Sequence, residues 1–209
     1  MHISEGVLSA PVLAGGAILA AGGVALGLQK IDDERIPRVA VLTSAFFVAS
    51  LIHVPVGPSS AHLILNGLAG VILGWAAFPA ILVALVLQAM FFGFGGLTTL
   101  GVNTVNLALP AVICGILFRR SLLGGNGRRV FFLGAVIGAL AIAISSLMVA
   151  GCLFATGEAF TGVAQLVLLA HVPVMIVEGL VTGSVVCFLR QVKPDLLNGR
   201  IAEKRCAYG

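Results

Sequence analysis

Long apolar runs, interrupted by only three basic clusters, constrain this chain more than any other feature. All 12 Lys and Arg residues lie within residues 30–38, 119–129 and 190–205. The mean hydropathy is +1.14 and charged residues make up 10% of the chain, whereas soluble domains carry about 25%. These values exclude a soluble or disordered chain, and a net charge of +4 with few aromatic residues does not fit nucleic-acid binding. We therefore expect one integral membrane domain, residues 1–209, in a lipid bilayer.

The apolar runs predict seven transmembrane helices, and hence an all-α fold. A span needs about 20 apolar residues. The runs lie at about 9–29, 38–55, 62–75, 78–93, 101–118, 130–154 and 163–189. The third and fourth are short, which predicts helices that are broken or begin within the membrane. Because basic segments stay in the cytoplasm, the tail 190–209 is predicted inside and the N-terminus outside.

Two features of the first span remain open to more than one interpretation. Residues 1–8 contain Glu5 and no Lys or Arg, so an uncleaved helix is favoured over a cleaved leader. The pairs Gly16 with Ala20 and Ala21 with Ala25 have the spacing that lets membrane helices approach closely. They predict either packing within the chain or a docking face for another membrane subunit.

A chain that begins Met1-His2 can chelate a metal ion. The terminal amine, the deprotonated amide nitrogen of His2 and the Nδ1 atom of its imidazole can bind one cation in a plane. A fourth nitrogen completes a square, a geometry that suits Cu(II) and Ni(II), and low-spin Co(II) is a further candidate. The alternative for this dipeptide is a loose tail. We predict that residues 1–8 form an external metal-binding segment, with Glu5 in its lid.

His62 is the candidate for the fourth nitrogen. Pro55 and Pro58 are predicted to end span two, and Ser59 or Ser60 to cap span three. His62 would then lie in the first turn of span three, on the outer side, as a ligand or as an interfacial residue.

Three more polar residues are candidates for the surroundings of the metal. His53, at the outer end of span two, is expected to orient a ligand or to pack at the interface rather than to bind directly. Asn66 is predicted one turn below His62 on the same helix face, where it hydrogen-bonds in the pocket or bridges helices. Asn103 is a third candidate for this surrounding shell.

His171 and Glu178 share one face of span seven, because they are seven residues apart. Ionisable groups within a membrane need a functional or structural reason. One interpretation is a proton relay in a secondary transporter. The other, which we favour, is a structural polar pair with Asn103, Asn106 or a partner subunit, so that Glu178 supports assembly rather than metal binding.

These motifs together resemble the CbiM/NikM family, the substrate-specific membrane subunits of energy-coupling-factor importers for cobalt and nickel. The resemblance lies in residues 1–9, 54–62, 92–97, 100–106 and 170–173, followed by Glu178. The details at His53–Pro55 and Gly57–Ser60 look more like the cobalt branch than the nickel branch.

The resemblance implies a seven-helix fold and Co(II) or Ni(II) as the transported substrate, with no organic cofactor. The implied ligands are the Met1 amine, the His2 amide and imidazole nitrogens, and an imidazole nitrogen of His62. It also implies a prokaryotic inner membrane and a supply of cobalt for cobalamin synthesis. The implied partners are a transmembrane coupling subunit, ATPase subunits and a small CbiN-like membrane subunit.

The chain itself is predicted not to be an enzyme. It contains no G-x-x-x-x-G-K-[ST] motif and no H-E-x-x-H motif, so ATP hydrolysis would belong to a separate subunit. A proton-coupled secondary metal transporter that uses His171 and Glu178 is the alternative. The residues alone do not distinguish cobalt from nickel, because the Irving–Williams order places Cu(II) above both in affinity and the choice of metal then depends on availability and partner proteins.

Overall fold

The computed structural model describes residues 2–56 and 59–198 of the chain. The described part is a bundle of helices with one short antiparallel hairpin. The elements are α1 (Ala10–Leu28), α2 (Ile36–Ala49), β1 (His53–Val56), β2 (Ser59–His62), α3 (Asn66–Leu73), α4 (Ala77–Phe92), α5 (Leu100–Phe118), α6 (Gly127–Thr156), α7 (Thr161–Val192) and α8 (Asp195–Asn198). Short 3-10 turns cover Gly74–Ala76, Arg119–Leu123 and Glu158–Phe160.

The bundle carries apolar side chains on its outside, as a bilayer requires. Ile18, Val41 and Met90 are each more than two-thirds exposed. Five segments are long and apolar enough to cross a membrane, by length and composition, among the described residues: Ala10–Leu28, Asn66–Phe92, Leu100–Leu123, Gly127–Thr156 and Glu158–Val192. The prediction of an all-helical membrane protein is confirmed at this level. The number of crossings and the sides of the termini stay predictions.

The prediction for the segment after α2 is wrong. The helix ends at Ala49, and the chain then forms a hairpin in which His53 pairs with His62 and Val56 with Ser59. Proline disfavours the helical region for the residue before it, so Val54-Pro55 favours extended backbone. His62 therefore lies at the end of a strand instead of in the first turn of a helix.

The start of α3 also differs from the prediction. Leu65 has a φ of 58°, in the left-handed region, so no helix runs from His62 into Asn66. The residue at the N-cap is Leu65, whose side chain makes no cap, and Ser59 and Ser60 stay in β2.

Helices α3 and α4 run in opposite directions, although only a 3-10 turn separates them. The side chain of Asn66 contacts Leu107, and Gly70 lies against Ala111, so α3 is parallel to α5. Gln88 of α4, by contrast, returns to the end of the bundle at which α5 begins. With eight residues α3 is about 12 Å long and begins inside the bundle, as the short third span predicted.

Helices α6 and α7 are packed backbone to backbone through glycines. A Cβ atom on Gly134 would lie 2.8 Å from the Cα of Gly183, and one on Gly179 would lie 2.9 Å from the carbonyl oxygen of Ala135. Small residues at such spacing let membrane helices approach closely. The backbones of α6 and α7 are therefore in close contact.

The small residues of α1 divide between its two faces. Gly16 lies against Val102 and Ala20 is buried, so this pair packs within the chain. Ala21 and Ala25 are exposed. The docking-face interpretation applies to this second pair only, and stays a prediction.

Candidate metal site

The rings of His2 and His62 stack deep inside the bundle. Their centroids are 4.6 Å apart with an angle of 23° between the planes. His2 is 3% exposed and His62 is 2% exposed. The fold therefore brings together two histidines that are 60 residues apart in the sequence, which the predicted set of nitrogen ligands requires.

A chain of hydrogen bonds fixes the tautomer of His2. The Ser50 hydroxyl donates to the carbonyl oxygen of Phe47 at 2.7 Å, so it must accept from the amide nitrogen of Gln88 at 2.6 Å. The Oε1 atom of Gln88 then faces His2, and the Nε2 of His2 donates to it at 2.6 Å. This leaves the ring's lone pair on Nδ1, which is the nitrogen that can close a chelate ring with the amide of the same residue.

Asn103 holds the backbone that follows His2. Its Oδ1 accepts from the backbone nitrogen of Ile3 at 3.0 Å, and its Nδ2 donates to the carbonyl oxygen of Ile3 at 3.1 Å. A side-chain amide thus pairs with a backbone residue as a neighbouring strand would. Asn103 therefore contacts the residue next to His2, and its role in the surroundings of a metal stays a prediction.

Glu5 fastens the N-terminal segment to the loop between α4 and α5. Its carboxylate accepts from the backbone nitrogen of Thr98 at 3.1 Å. The side chain also lies directly over Gly96, where a Cβ atom would collide with it. Glu5 is therefore tied to Gly96 and Thr98, and its role in a lid stays a prediction.

His62 presents its other ring nitrogen to the site. The Nδ1 of His62 donates to the carbonyl oxygen of Leu63 at 2.9 Å, because a carbonyl can only accept. The lone pair is then on Nε2, which is buried and has no hydrogen-bond partner among the described residues. Burial lowers the pKa of His62 well below its ordinary value, with smaller contributions from nearby positive charge. The ring is neutral at neutral pH and ready to bind a cation.

Glu178 holds the segment that carries His62. Its Oε1 accepts hydrogen bonds from the backbone nitrogens of Ile64 and Leu65, the latter at 2.7 Å. Leu65 is the N-cap residue of α3 and Ile64 precedes it. A carboxylate from α7 therefore binds the backbone that leads into α3, and neither Ser59 nor Ser60 caps this helix.

Two predicted residues, Asn66 and His53, have other positions than expected. Asn66 donates to the carbonyl oxygen of Leu107 at 3.2 Å and to Ser145 at 3.0 Å, so it bridges α3, α5 and α6. It cannot lie one helical turn below His62, since His62 is not helical. His53 is in β1, paired through its backbone with His62. Met1 lies outside the described residues.

His171 is buried in α7 and bonds to its own helix. Its Nδ1 donates to the carbonyl oxygen of Val167 at 2.6 Å, which leaves the lone pair on Nε2. Glu178 bonds to Ile64 and Leu65 instead of to His171. The two residues therefore share a face, as predicted, while each hydrogen-bonds to backbone.

Side chains alone do not make a complete metal site here. Within residues 2–56 and 59–198, no three or more His, Cys, Asp or Glu side chains are grouped so that they could hold a metal ion. His2 and His62 offer two imidazole nitrogens.

Sequence reasoning missed Gln88 and Ser50. The available signal was a single amide side chain within the otherwise apolar helix Ala77–Phe92. A buried amide in a membrane helix needs partners, as any buried polar group does. Without the fold, nothing in the spacing indicated that its partner would be His2.

Known proteins are similar to this chain over nearly its whole length. The profile of the CbiM family, the cobalt uptake substrate-specific transmembrane region, matches residues 2–196. A protein of Haemophilus influenzae assigned to metal transport is 45% identical over 208 residues, which cover 95% of this chain and 97% of that protein.

Two further proteins extend the comparison to nickel and to a solved structure. The fused nickel transport protein NikMN of Rhodobacter capsulatus is 32% identical, over 97% of this chain and 65% of that protein. A crystal structure of a truncated transition metal transporter superposes with a TM-score of 0.74 at 27% identity, covering 92% of this chain and 99% of that one. With its membrane-spanning helices and this family match, the chain belongs to the CbiM family of cobalt and nickel transport proteins.

Proposed function

We propose that this chain is the metal-selecting subunit of an ATP-driven importer of the energy-coupling-factor type. It would bind Co(II) or Ni(II) through the Met1 amine, the amide nitrogen and Nδ1 of His2, and the Nε2 of His62. The observation that carries the proposal is the pair of tautomers, since Gln88 leaves the lone pair of His2 on Nδ1 and Leu63 leaves that of His62 on Nε2. Both lone pairs are on the nitrogens that the chelate needs.

The chemistry favours such a set for a cation held away from water. Four nitrogen donors replace much of the hydration that the metal loses, and ionisation of the His2 amide reduces the net charge by one. A histidine that binds a metal through one ring nitrogen is better oriented and more basic when its other ring nitrogen donates a hydrogen bond to a fixed acceptor. Gln88 and Leu63 are acceptors of this kind.

The partners in this proposal are a transmembrane coupling subunit, ATPase subunits and a small CbiN-like membrane subunit. The family match and the fused relative NikMN support a multi-component transporter, since only 65% of that relative is matched by this chain and the rest lies outside the match. We further propose a prokaryotic inner membrane, an external N-terminus, a cytoplasmic tail and a role in cobalt supply for cobalamin synthesis.

The test is the metal affinity of the purified chain with its native N-terminus, compared with a copy that carries two residues before Met1. A copy with two residues added after Gly209 is the matched control. We expect about one Co(II) or Ni(II) per chain for the native and C-terminally extended forms, and no tight binding for the N-terminally extended form or for His62→Ala. Equal binding by all four would overturn the chelate.

A further inference from the structure

A groove on the outside of the bundle lies between α2 and the last part of α7, away from the candidate metal site. Its volume is about 360 Å³. Helix α2, about 21 Å long, begins beside this groove and ends before the hairpin that carries His62. The walls come from α2, α3, α7 and α8 and are mainly apolar, with Val41, Leu42, Leu68, Ile72, Val185 and Leu189 among their residues.

A small cavity adjoins the groove at the basic end of the bundle. Its volume is about 30 Å³, more than the roughly 10–15 Å³ that one water molecule needs. Three arginines line it, Arg35, Arg38 and Arg119. Arg38 and Ile72 line both spaces, so the cavity and the groove lie side by side. The groove therefore has a positively charged end.

The cations of this region outnumber the carboxylates that pair with them. Asp32 forms an ion pair with Arg35, with 3.3 Å between Oδ2 and Nε. In the part of the chain that the structure describes, no carboxylate forms an ion pair with Arg38, Arg119 or Lys193, which lines the groove. The carboxylates closest in sequence are those of Asp33, Glu34 and Asp195, which are exposed. An anion between the unpaired cations would relieve their mutual repulsion.

Arg119 is held by one of its nitrogens and keeps the others for an anion. Its Nε donates to the carbonyl oxygen of Leu197 at 2.9 Å, which ties the end of α5 to α8. A guanidinium has five N–H donors, so the four on the terminal nitrogens remain. Arg119 and Arg38 are both partly buried, where a charge-assisted hydrogen bond is stronger than at an exposed position. The planar fork of a guanidinium matches the oxygens of a phosphate group.

The arginines and the apolar groove together fit one kind of molecule. A free anion would use the arginines but not the groove, and a zwitterionic lipid has no need of excess positive charge. An anionic phospholipid uses both. From Val185 to Lys193 the groove wall is about 12 Å long, compared with about 15 Å for the hydrocarbon of one leaflet. Basic pockets between membrane helices bind acidic lipid head groups in other proteins.

We propose that this site binds one anionic phospholipid from the leaflet at the basic end of the bundle. The phosphate lies at Arg38 and Arg119, with Arg35 beside them, and one acyl chain occupies the groove. Lys193 supplies a further positive charge on the groove wall. The bound lipid ties α2 to α7 and α8 at the end of the bundle opposite His62. This lipid site is separate from the metal site and does not depend on the proposed function.

The test uses the purified chain in a neutral detergent with three probes. Phosphatidylglycerol is the anionic lipid, phosphatidylcholine with the same acyl chains is the zwitterionic control, and inorganic phosphate is the free anion. Native mass spectrometry counts the retained lipid, and the rise of Tm with probe concentration reports the affinity. We expect about one phosphatidylglycerol per chain and a higher Tm, with neither effect from the other two probes. Added salt should weaken the binding, since exposed charges are screened.

Variants with matched controls locate the site. Arg38→Gln and Arg119→Gln should each weaken phosphatidylglycerol binding by about tenfold, because each loses a charge-assisted hydrogen bond. Arg120→Gln removes the same charge at an exposed position outside the cavity and should leave binding unchanged. Val41→Trp fills the groove and should also weaken binding. Val48→Trp, at another exposed valine of α2 outside the groove, is its control.

Three results would overturn the lipid site. One is equal retention of phosphatidylglycerol and phosphatidylcholine. Another is an equal rise of Tm with inorganic phosphate, which would assign the arginines to a free anion. The third is unchanged phosphatidylglycerol affinity in both Arg38→Gln and Arg119→Gln, or an equal loss in Arg120→Gln. The first two comparisons use the unmodified chain, so they decide the matter even where a variant does not fold. His62→Ala should keep the lipid, which separates failure of this site from failure of the metal site.

Discussion

The carboxylate of Glu178 accepts a hydrogen bond from the backbone nitrogen of Leu65 at 2.7 Å, across 113 positions of sequence. A side chain in the last long helix thereby sets the conformation at which α3 begins. His62, three residues earlier and part of the proposed site, lies on the same segment. The contact links the two halves of the chain at the point where the proposed site is built.

This contact predicts that Glu178→Ala weakens metal binding although Glu178 is not a ligand. The substitution leaves two buried backbone nitrogens without acceptors, at a cost of about 1–3 kcal/mol each. We expect the Kd for Co(II) to rise by about tenfold or more, measured by competition with a chelator of known affinity. Glu178→Gln, which keeps the acceptor, is the control, and equal losses in both variants would show that the charge matters instead.

Gln88 is predicted to orient the His2 ring. Replacing Gln88 with Leu removes the acceptor for the ring's Nε2 hydrogen, and the loss of such an orienting partner typically costs 10–100-fold in metal affinity. The absorption spectrum of the bound metal should change as well, because the ring is free to rotate. Ser50 is one hydrogen bond further from His2 than Gln88, so Ser50→Ala should have a smaller effect on metal affinity. An unchanged affinity in Gln88→Leu would refute the orienting role.

Asn103 is predicted to keep the N-terminal segment in place. In Asn103→Leu both hydrogen bonds to Ile3 are lost, so residues 2–8 should detach more often from the bundle. We expect weaker metal binding and faster cleavage of this segment by added protease. Asn103→Asp can still accept from the Ile3 nitrogen, so its metal affinity and protease resistance should lie between those of Asn103→Leu and the unmodified chain. Equal protease resistance of these three proteins would contradict the prediction.

The glycine contact between α6 and α7 is predicted to be sensitive to a single methyl group. A Cβ on Gly134 would lie 2.8 Å from the Cα of Gly183, and one on Gly183 would lie 2.7 Å from the Phe131 carbonyl oxygen. Overpacking of this kind costs about 1–3 kcal/mol, which corresponds to roughly 2–10 °C in Tm for a chain of this size. Thermal unfolding in detergent would measure the effect of Gly134→Ala and Gly183→Ala.

The same helices provide the controls for that measurement. Gly151 in α6 and Gly162 in α7 have open space around the position of a Cβ atom. Their substitution by Ala should leave Tm unchanged or raise it slightly, because alanine favours the helix. A similar decrease in Tm at all four positions would mean that the close contact between the helices does not cause the destabilisation.

Much of the helix pattern could be predicted because apolar runs report directly on membrane helices. The boundaries of α1, α4 and α5 lie within two residues of the predicted spans. The region from residue 50 to residue 65 could not be predicted in this way. Its backbone is set by Pro55 and by a distant carboxylate, neither of which produces a periodic signal.

The site was partly predictable for a chemical reason. The capacity of Met1-His2 to chelate is local to two residues, and the need for one more imidazole led to His62. The partners that fix the rings, Gln88 and the Leu63 carbonyl, depend on how the helices and the hairpin meet. One is a neutral amide in an apolar helix and the other is backbone, so sequence spacing does not identify them.

The close glycine contacts between α6 and α7 make the two helices one rigid unit. Neither helix can slide past the other without driving backbone into backbone, so a push applied anywhere along α6 is delivered to Glu178 on α7. The anchor of the His62 segment is therefore attached to a body that extends about 45 Å, the length of the 30 residues of α6. A partner that moved the far end of α6 would therefore also move the anchor of the His62 segment, at a distance from the proposed site.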